Sequence, residues 1–383
     1  MLEPIVARSV EEALALRETW TALPIESPHA DLDFYLAVID EREEVVRPHA
    51  VMLLDDGAPS ALLAARLEHV PLVASVGYRE VYRPRVRALM LVPGGVVAPS
   101  RPAARELVGS LLHSLREREA DVVVFPSLRH DSELFAEVPD VFRPFRRSHF
   151  AEVRTHRRLR LPATFEDFLA ARSRKVRSGI RYDAKRLEQR LGDRLRIERL
   201  GAPADLDRIF RDIVRIAELT YQKGLGAAFL DTPELRRLTS LSLERGWFRA
   251  WVLYDEETPI AFWQGAVYGR TYHSATTGYD PAYGRDRVGI YLLSRVISDL
   301  CADPQVDTFD FGFGDADYKR HFSDEAWNES DLVVFAARPR PLAINTTRTA
   351  VMGGAYGIRR ALDRIGLTDR IKAAWRRRLR TGD

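Results

Sequence analysis

The sequence predicts a mixed α/β protein made of two domains with the same order of elements. The chain has 383 residues, whereas single domains usually have roughly 100 to 200. Its content of 46% hydrophobic and 30% charged residues is typical of chains that form buried cores. The same order of elements occurs twice along the chain: a strand, two helices, several strands, a helix and a strand. This order differs from the regular βα alternation of Rossmann and TIM folds.

The first copy begins with a strand near residues 5–8, followed by helical spacing in VEEALALRETWTAL and DLDFYLAVIDE. Strand-like AVMLLD, ALLAARLEHV and RALMLVPGGVV come next, then helical RPAARELVGSLLHSLRERE and the apolar strand ADVVVFPSL. Residues 144–161 contain HFAEVRTHRRLRL, which alternates as half-buried strands do. We expect this segment to close a first domain of residues 1–160.

The second copy follows residue 190. LRIERL reads as a strand, and ADLDRIFRDIVRIAELTYQ and TPELRRLTSLSLERG read as helices. Three strands joined by two turns cover FRAWVLYDEETPIAFWQGAVYGRTYHSATTGYD. The helix GIYLLSRVISDLC, the strand VDTFDFG, the helical turn ADYKRHF and the strand ESDLVVFAARP complete the copy. The expected second domain is 161–338, and residues 339–383 form a tail.

Several functional classes are disfavoured. The amino terminus carries acids instead of a basic, apolar leader, and no run of 18 apolar residues occurs, so we expect a cytoplasmic protein. Cys301 is the one cysteine, and the histidines form no HExxH pattern, so we expect no metal. GFGDAD has Asp317 where a dinucleotide-binding motif needs its third glycine, and GxxxxGK[ST] is absent.

Basic charge is concentrated in two segments. Residues 338–383 contain 12 Arg or Lys and 3 acids, whereas residues 1–337 contain 46 and 52. The predicted apolar face of the tail helix comprises Ile358, Leu362, Ile365, Ile371, Trp375 and Leu379. Such a helix lies on an anionic membrane surface, docks on a partner or packs on its own domain. The helical RSRKVRSGIRYDAKRLEQRL is either a solvated face or a guide for an anionic partner such as tRNA.

The junction GYDPAYGRDRVG joins a strand to the apolar helix that follows. Gly284, Arg285, Arg287 and Gly289 lie in this loop. Free N–H groups at a helix N-terminus bind anions, and glycine lets an anion approach the backbone. The loop therefore predicts a pyrophosphate cradle, and the alternative is an ordinary capped turn.

These segments resemble a known family. GYDPAYGRDRVG, then a helix, then TFDFGFGDADYKRHF, resembles the GNAT acyltransferase superfamily, in particular tandem-domain relatives of the FemAB type and of acetyltransferases linked to cellulose biosynthesis. The resemblance is strongest from about Phe248 to Phe322. Those relatives usually have proline before the cradle glycine, where this chain has Val288.

The resemblance implies two tandem GNAT-like domains, the first degenerate, and a donor of acetyl-CoA or another acyl-CoA. Its pyrophosphate would contact Val288, Gly289 and Ile290, with Arg285 and Arg287 adding charge. Tyr318 occupies the place of the acid that protonates the leaving thiolate, and Asp315 and His273 are the candidate bases. Lys319 and Asp310 are expected at the site without an assigned role.

In the first domain, Pro99 and Pro102 lie at the matching helix start, where N–H donors are needed. We therefore expect that domain to shape the acceptor site. The predicted function is N-acyl transfer, typically acetyl transfer, to an amine or hydroxyl of a small molecule, sugar, lipid or cell-envelope precursor. The alternatives are FemAB-like transfer from aminoacyl-tRNA, and a non-catalytic module recruited through its basic tail to a partner at the membrane.

Overall fold

The computed structural model describes residues 2–76, 79–220 and 229–364. The strands are β1 (Leu2–Ala7), β2 (Val45–Asp55), β3 (Ala58–Pro71), β4 (Ala74–Val76), β5 (Arg79–Tyr82), β6 (Arg85–Val97), β7 (Val122–Arg129), β8 (Val153–Arg160), β9 (Leu195–Leu200), β10 (Phe248–Asp255), β11 (Thr258–Tyr268), β12 (Thr271–Tyr279), β13 (Thr308–Phe313) and β14 (Glu325–Phe335).

The helices are α1 (Val10–Ala15), α2 (Arg17–Thr21), α3 (Leu32–Glu41), α4 (Arg101–Arg116), α5 (Glu133–Val141), α6 (Phe165–Ala170), α7 (Arg174–Leu191), α8 (Leu206–Leu219), α9 (Pro233–Glu244), α10 (Val288–Cys301), α11 (Asp317–Phe322) and α12 (Pro339–Arg364). In the part of the chain that the structure describes, no helix is both long and apolar enough to cross a membrane.

The chain divides into two compact units. The first comprises the described residues within Met1–Arg154 and Trp327–Asp383. Its sheet has the order β1-β2-β3-β6-β7-β14, and only the β6–β7 pair is parallel. Leu107 and Leu111 of α4 and Val138 of α5 are buried in one cluster, and Trp20 and Tyr35 in another. The alternating strands therefore bury both faces of this sheet.

The second unit comprises Thr155–Ala326. Its sheet has the order β8-β13-β12-β11-β10-β9, and only the β12–β13 pair is parallel. One core contains Leu187 of α7 and Leu292 of α10, and the other contains Ile213 of α8 and Leu243 of α9. The two units thus share one pairing pattern, which confirms the mixed α/β fold built on a repeated order of elements.

The closing strands differ from the sequence-based expectation. β8 pairs with β13 in the second unit, for example Leu159 with Phe309. β14 pairs with β7 in the first unit, for example Val333 with Val124. The expectation that residues 144–161 close the first domain and ESDLVVFAARP the second is therefore wrong for these two strands. Strand pairing is non-local, and an alternating pattern specifies a half-buried strand without specifying its neighbour.

The helix α12 packs into the first unit. Ile344 is 5% exposed and lies in a core cluster with Leu72 and Phe335. Nδ2 of Asn345 donates to the carbonyl oxygens of Phe145 and Arg147 at 3.0 and 3.1 Å. The first turns of the predicted tail are thus part of a core. The six apolar side chains of its predicted amphipathic face, from residue 358 onward, lie outside the described side chains, so membrane contact there stays a prediction.

Candidate functional site

The two parallel strands of the second unit, β12 and β13, separate near their carboxyl ends. β12 and β13 pair at three positions only, of which His273 opposite Asp310 is the last. β12 nevertheless stays paired with β11 as far as Tyr279, and β13 with β8 as far as Phe313. Two register shifts lie next to the point where β12 and β13 separate. One is in the β11–β12 pair, and the other follows Asp310 in the β13–β8 pair. Bulges bend strands in this way, and here they open a cleft between β12 and β13.

The helix α10 begins at the carboxyl end of this cleft. A 3-10 turn, Pro281–Asp286, leads to Arg287, whose φ of 55° is left-handed. No side chain caps α10, whereas Oγ of Ser100 caps α4 in the first unit by accepting from the N–H of Ala103 at 3.4 Å. Uncapped N–H groups at a helix start attract anions. The two helix starts therefore differ, since α4 has a side-chain cap and α10 has none.

Two N–H groups of α10 are available to a ligand. The N–H of Ile290 donates to the carbonyl of Arg287 at 3.0 Å. No described residue accepts from the N–H groups of Val288 and Gly289. Of the three backbone positions predicted to contact pyrophosphate, Val288 and Gly289 therefore have an N–H group that can donate to a ligand.

The ring of Tyr279 lies over the cradle glycines. A Cβ atom on Gly289 would be 3.3 Å from Cδ1 of Tyr279, and one on Gly284 would be 3.6 Å from Cε2. Tyr279 is 45% exposed, so its ring can move when a ligand approaches. Sequence reasoning placed Tyr279 only at a strand end, because the contact depends on how the turn folds back.

The basic helix α7 supports the cradle loop. Oδ2 of Asp183 lies 2.9 Å from Nε of Arg287, Nη2 of Arg186 donates to the carbonyl of Arg285 at 2.5 Å, and Arg190 pairs with the buried Asp286. Its apolar side chains, including Leu187, join the core beside α10. α7 is therefore more than a solvated face.

The two predicted phosphate-binding arginines differ in their surroundings. Arg287 pairs with Asp183. The guanidinium of Arg285 is exposed and has no hydrogen-bond or ion-pair partner within residues 2–76, 79–220 and 229–364. Because a guanidinium without a partner keeps its full charge for a ligand, Arg285 is the better placed of the two to bind phosphate.

A buried carboxylate lies where the strands part. Oδ1 of Asp310 is 2.6 Å from Nε2 of His156 and accepts from the N–H of Gly312 at 2.7 Å, and Oδ2 is 3.2 Å from Nη2 of Arg158. His273 faces Asp310 across the strand pair. Burial by itself would raise the pKa of Asp310, but the hydrogen bond and charge of His156, with the Gly312 N–H and His273, lower it to about 2.

This polar cluster joins predicted and unpredicted residues. Tyr272 and Phe309 are buried in the core on the α10 side. Because strand side chains alternate, the next residues, His273 and Asp310, face the opposite side of the sheet. His156 and Arg158 reach the cluster from β8. Sequence reasoning missed both, since nothing local indicated that β8 would lie beside β13.

The remaining predicted residues lie on or before α11. The ring of Tyr318 packs against Trp263 and Phe311, at centroid distances of 6.0 and 6.5 Å. Nζ of Lys319 donates to the carbonyl oxygens of Phe311 and Phe313 at 2.6 and 2.7 Å, so it holds the end of β13 in shape.

Asp315 lies in a different ion-pair cluster. Its carboxylate is 2.8 Å from Arg157 and 2.7 Å from Arg320. The hydrogen bond from Arg320, assisted by Arg157, lowers the pKa of Asp315. A carboxylate with a lowered pKa is a weaker proton acceptor.

We expect Asp310→Asn to lose about 2 kcal/mol of unfolding free energy at pH 7, since the pKa of Asp310 falls from 3.8 to about 2 on folding. Because the pKa of Asp310 is lower in the folded state, its ionised carboxylate stabilises the folded protein above about pH 4. This contribution to the free energy of unfolding disappears as pH falls from about 4 to 2. The variant should therefore lose less stability than the wild type across that window. Urea unfolding from pH 7 to 2.5 measures this, with Glu257→Gln at an exposed carboxylate as control. Parallel pH profiles of Asp310→Asn and wild type would contradict the assignment.

The parted parallel strands, next to an uncapped helix start, are an arrangement that suits an extended donor with a phosphate group. Residues 174–320 match the family model described as an acetyltransferase (GNAT) domain. This match to a GNAT domain confirms, over these residues, the resemblance seen in the sequence.

Solved structures share the fold over most of the chain. The crystal structure of FemX is 10% identical, with a TM-score of 0.60 over 90% of this chain and 100% of that one. A conserved protein of unknown function from Bacteroides thetaiotaomicron is 12% identical, with a TM-score of 0.51 over 84% of this chain and 97% of that one. At such identities the likeness establishes a common fold. A search of curated proteins found no match.

Proposed function

We propose that the protein is an N-acyltransferase that moves an acyl group, typically acetyl, from acyl-CoA to an amine or hydroxyl. The observation that carries the proposal is the cleft between β12 and β13, which ends at the uncapped start of α10. An extended thioester lying in this cleft would place its pyrophosphate at Val288 and Gly289 and its reacting carbon between the strands.

The cradle residues fit such a donor. Gly289 leaves the helix start without a side chain, the N–H groups of Val288 and Gly289 have no acceptor among the described residues, and the exposed Arg285 of the same loop would add charge. The donor supplies the acyl thioester. Asp183 and Arg190, acting through Arg287 and Asp286, keep the loop in its binding shape.

In the proposed mechanism, one residue of the chain accepts a proton and another donates one. In the proposed reaction the acceptor nitrogen or oxygen bonds to the acyl carbon as the carbon–sulfur bond breaks. His273 takes the acceptor's proton, and Asp310 stabilises the charge that this histidine then carries. Tyr318 gives its hydroxyl proton to the leaving thiolate, and afterwards His273 releases its extra proton to water while Tyr318 takes one from water, so that both residues return to their starting states. His156 and Arg158 hold the Asp310 carboxylate in place.

Between the two predicted bases, His273 is the better supported. Two arginines neutralise Asp315 and lower its pKa, whereas His273 faces a buried, ionised carboxylate. A carboxylate beside imidazole favours the protonated imidazole that forms when a proton is accepted.

The acceptor and the location are also proposals. We propose a small molecule, sugar, lipid or envelope precursor as acceptor, with the first unit shaping its site, in a cytoplasmic protein. Contact with an anionic membrane surface is proposed for residues beyond 357, where the basic charge continues.

Thermal unfolding of the full chain with acetyl-CoA, CoA or aminoacyl-tRNA tests the donor. A ligand at 100 times its Kd adds about 2.7 kcal/mol of stability, so the true donor should raise Tm clearly. A rise with both thioester and CoA, together with release of free thiol when amines are added, would support the proposal. A rise with aminoacyl-tRNA alone would favour the FemAB-like alternative. Donor binding without turnover on any acceptor would favour a non-catalytic module.

A further inference from the structure

A basic cavity of about 800 Å³ lies in the first unit, where β6 and β7 begin. The donor cleft, by contrast, belongs to the second unit. Five arginines and one carboxylate dominate the cavity wall: Arg85, Arg87, Arg118, Asp121, Arg338 and Arg340. No role in acyl transfer accounts for this cluster.

Asp121 is the one carboxylate that lines this cavity, and it pairs with two of the five arginines. Asp121 is 5% exposed, and its oxygens lie 3.1 Å from Nη2 of Arg338 and 3.5 Å from Nη1 of Arg340. In the described ranges, no carboxylate pairs with the other three arginines. The wall therefore carries four positive charges in excess, and a bound anion would reduce the repulsion among them.

Backbone carbonyls hold two of the guanidinium groups. Nη2 of Arg87 donates to the carbonyl of Arg118 at 2.6 Å, and Nη2 of Arg340 donates to the carbonyl of Arg85 at 2.8 Å. Bonds to neutral carbonyls orient a guanidinium without neutralising its charge. Arg118 has a φ of 60°, a left-handed conformation that costs a non-glycine residue roughly 1 kcal/mol. Arg118 directly follows the C-cap of α4, where a left-handed residue commonly ends a helix.

We propose that this cavity binds a ligand that carries two or more phosphate groups. Planar arginine forks match phosphate oxygens in pairs, and an excess of four charges suits a diphosphate better than a monophosphate. Pro339 and Pro341, at the start of α12, line the same cavity. The volume is within the range of small-molecule sites, so there is space for an organic group beside the phosphates. The proposal is independent of the donor assignment in the second unit.

Calorimetric titration of the full chain with inorganic pyrophosphate tests the proposal. We expect saturable binding that weakens as salt rises, and at least about tenfold weaker binding of monophosphate. Arg85→Gln and Arg118→Gly should each weaken pyrophosphate binding at least about tenfold, and Arg118→Gly also relieves backbone strain, so misfolding would not explain its loss. Arg143→Gln, at an exposed arginine outside the cavity, is the matched control and should bind as the wild type does.

A further variant separates this cavity from the donor cradle. Gly289→Glu alters the cradle in the second unit and should leave pyrophosphate binding at the cavity unchanged. Loss of binding in Gly289→Glu, with unchanged binding in Arg85→Gln and Arg118→Gly, would overturn the proposal and leave the cradle as the only pyrophosphate site. Absence of saturable binding would also overturn it.

The source of the phosphate groups is tested in two arms. Titration with ADP tests a free ligand, and co-sedimentation with phosphatidylcholine vesicles containing farnesyl diphosphate tests a membrane-borne one. Binding in either arm that is lost in both arginine variants supports the proposal and identifies the source. Binding in either arm that survives in both variants contradicts it.

Discussion

Replacing Tyr318 by phenylalanine should lower kcat by roughly 100-fold, the usual size of a general acid contribution, and leave donor affinity nearly unchanged. The change removes one oxygen atom, and the packing of the ring against Trp263 and Phe311 is retained. Without the hydroxyl, the thiolate must leave unprotonated or take its proton from water. Thiol release measured under saturating donor and acceptor reports this step.

Tyr356→Phe, at an exposed tyrosine of α12, is the matched control and should retain full turnover. Equal turnover in Tyr318→Phe would assign Tyr318 to packing alone. A large loss of donor affinity with little change in kcat would mean that the hydroxyl binds the donor, and the acid would have to be sought elsewhere.

Replacing Gly289 by glutamate should weaken CoA binding tenfold or more, which corresponds to at least about 1.4 kcal/mol. The new carboxylate would stand at the start of α10 beside the N–H groups proposed to hold pyrophosphate, and it would repel phosphate oxygens. The nearest group to the new Cβ atom is the Tyr279 ring, at 3.3 Å, and this half-exposed ring can yield. Calorimetric titration with CoA measures the change.

Two variants calibrate that result. Ala282→Glu adds the same charge to the exposed part of the same loop and should have a much smaller effect. Gly289→Ala adds the Cβ atom without the charge and separates crowding by Tyr279 from repulsion. Unchanged CoA affinity in a folded Gly289→Glu protein would remove the cradle from this loop.

Much of the fold was predictable because its signals are local. Alternation identified β8 and the three strands from Phe248 to Tyr279, and apolar spacing with a clear start identified α10. These patterns reflect side chains that each strand or helix must bury on one face, whatever its neighbours are. The partners of β8 and β14 were assigned incorrectly for the complementary reason, since both strands alternate equally well beside either sheet.

The candidate site divides in the same way. Gly289 and Arg285 lie in the single motif GYDPAYGRDRVG, and His273 lies on the strand that leads into it. His156 contacts Asp310 across 154 residues of sequence, and Asp183 contacts Arg287 across another long separation. Neither residue stands in a pattern that marks it, because its role arises from the pairing of β8 with β13 or from the packing of α7 beside α10.

By itself, the sequence determined the repeated order of strands and helices, the glycine and arginine loop before α10, and the concentration of basic charge toward the carboxyl end. These features depend on local backbone preferences and on composition. The tertiary structure alone decided which strand closes each sheet, that His156 and Arg158 surround Asp310, that α7 supports the cradle, and that five arginines line one cavity with a single carboxylate in the first unit. Each of these depends on contacts between distant segments, and such contacts form only when burial of the two cores brings those segments together.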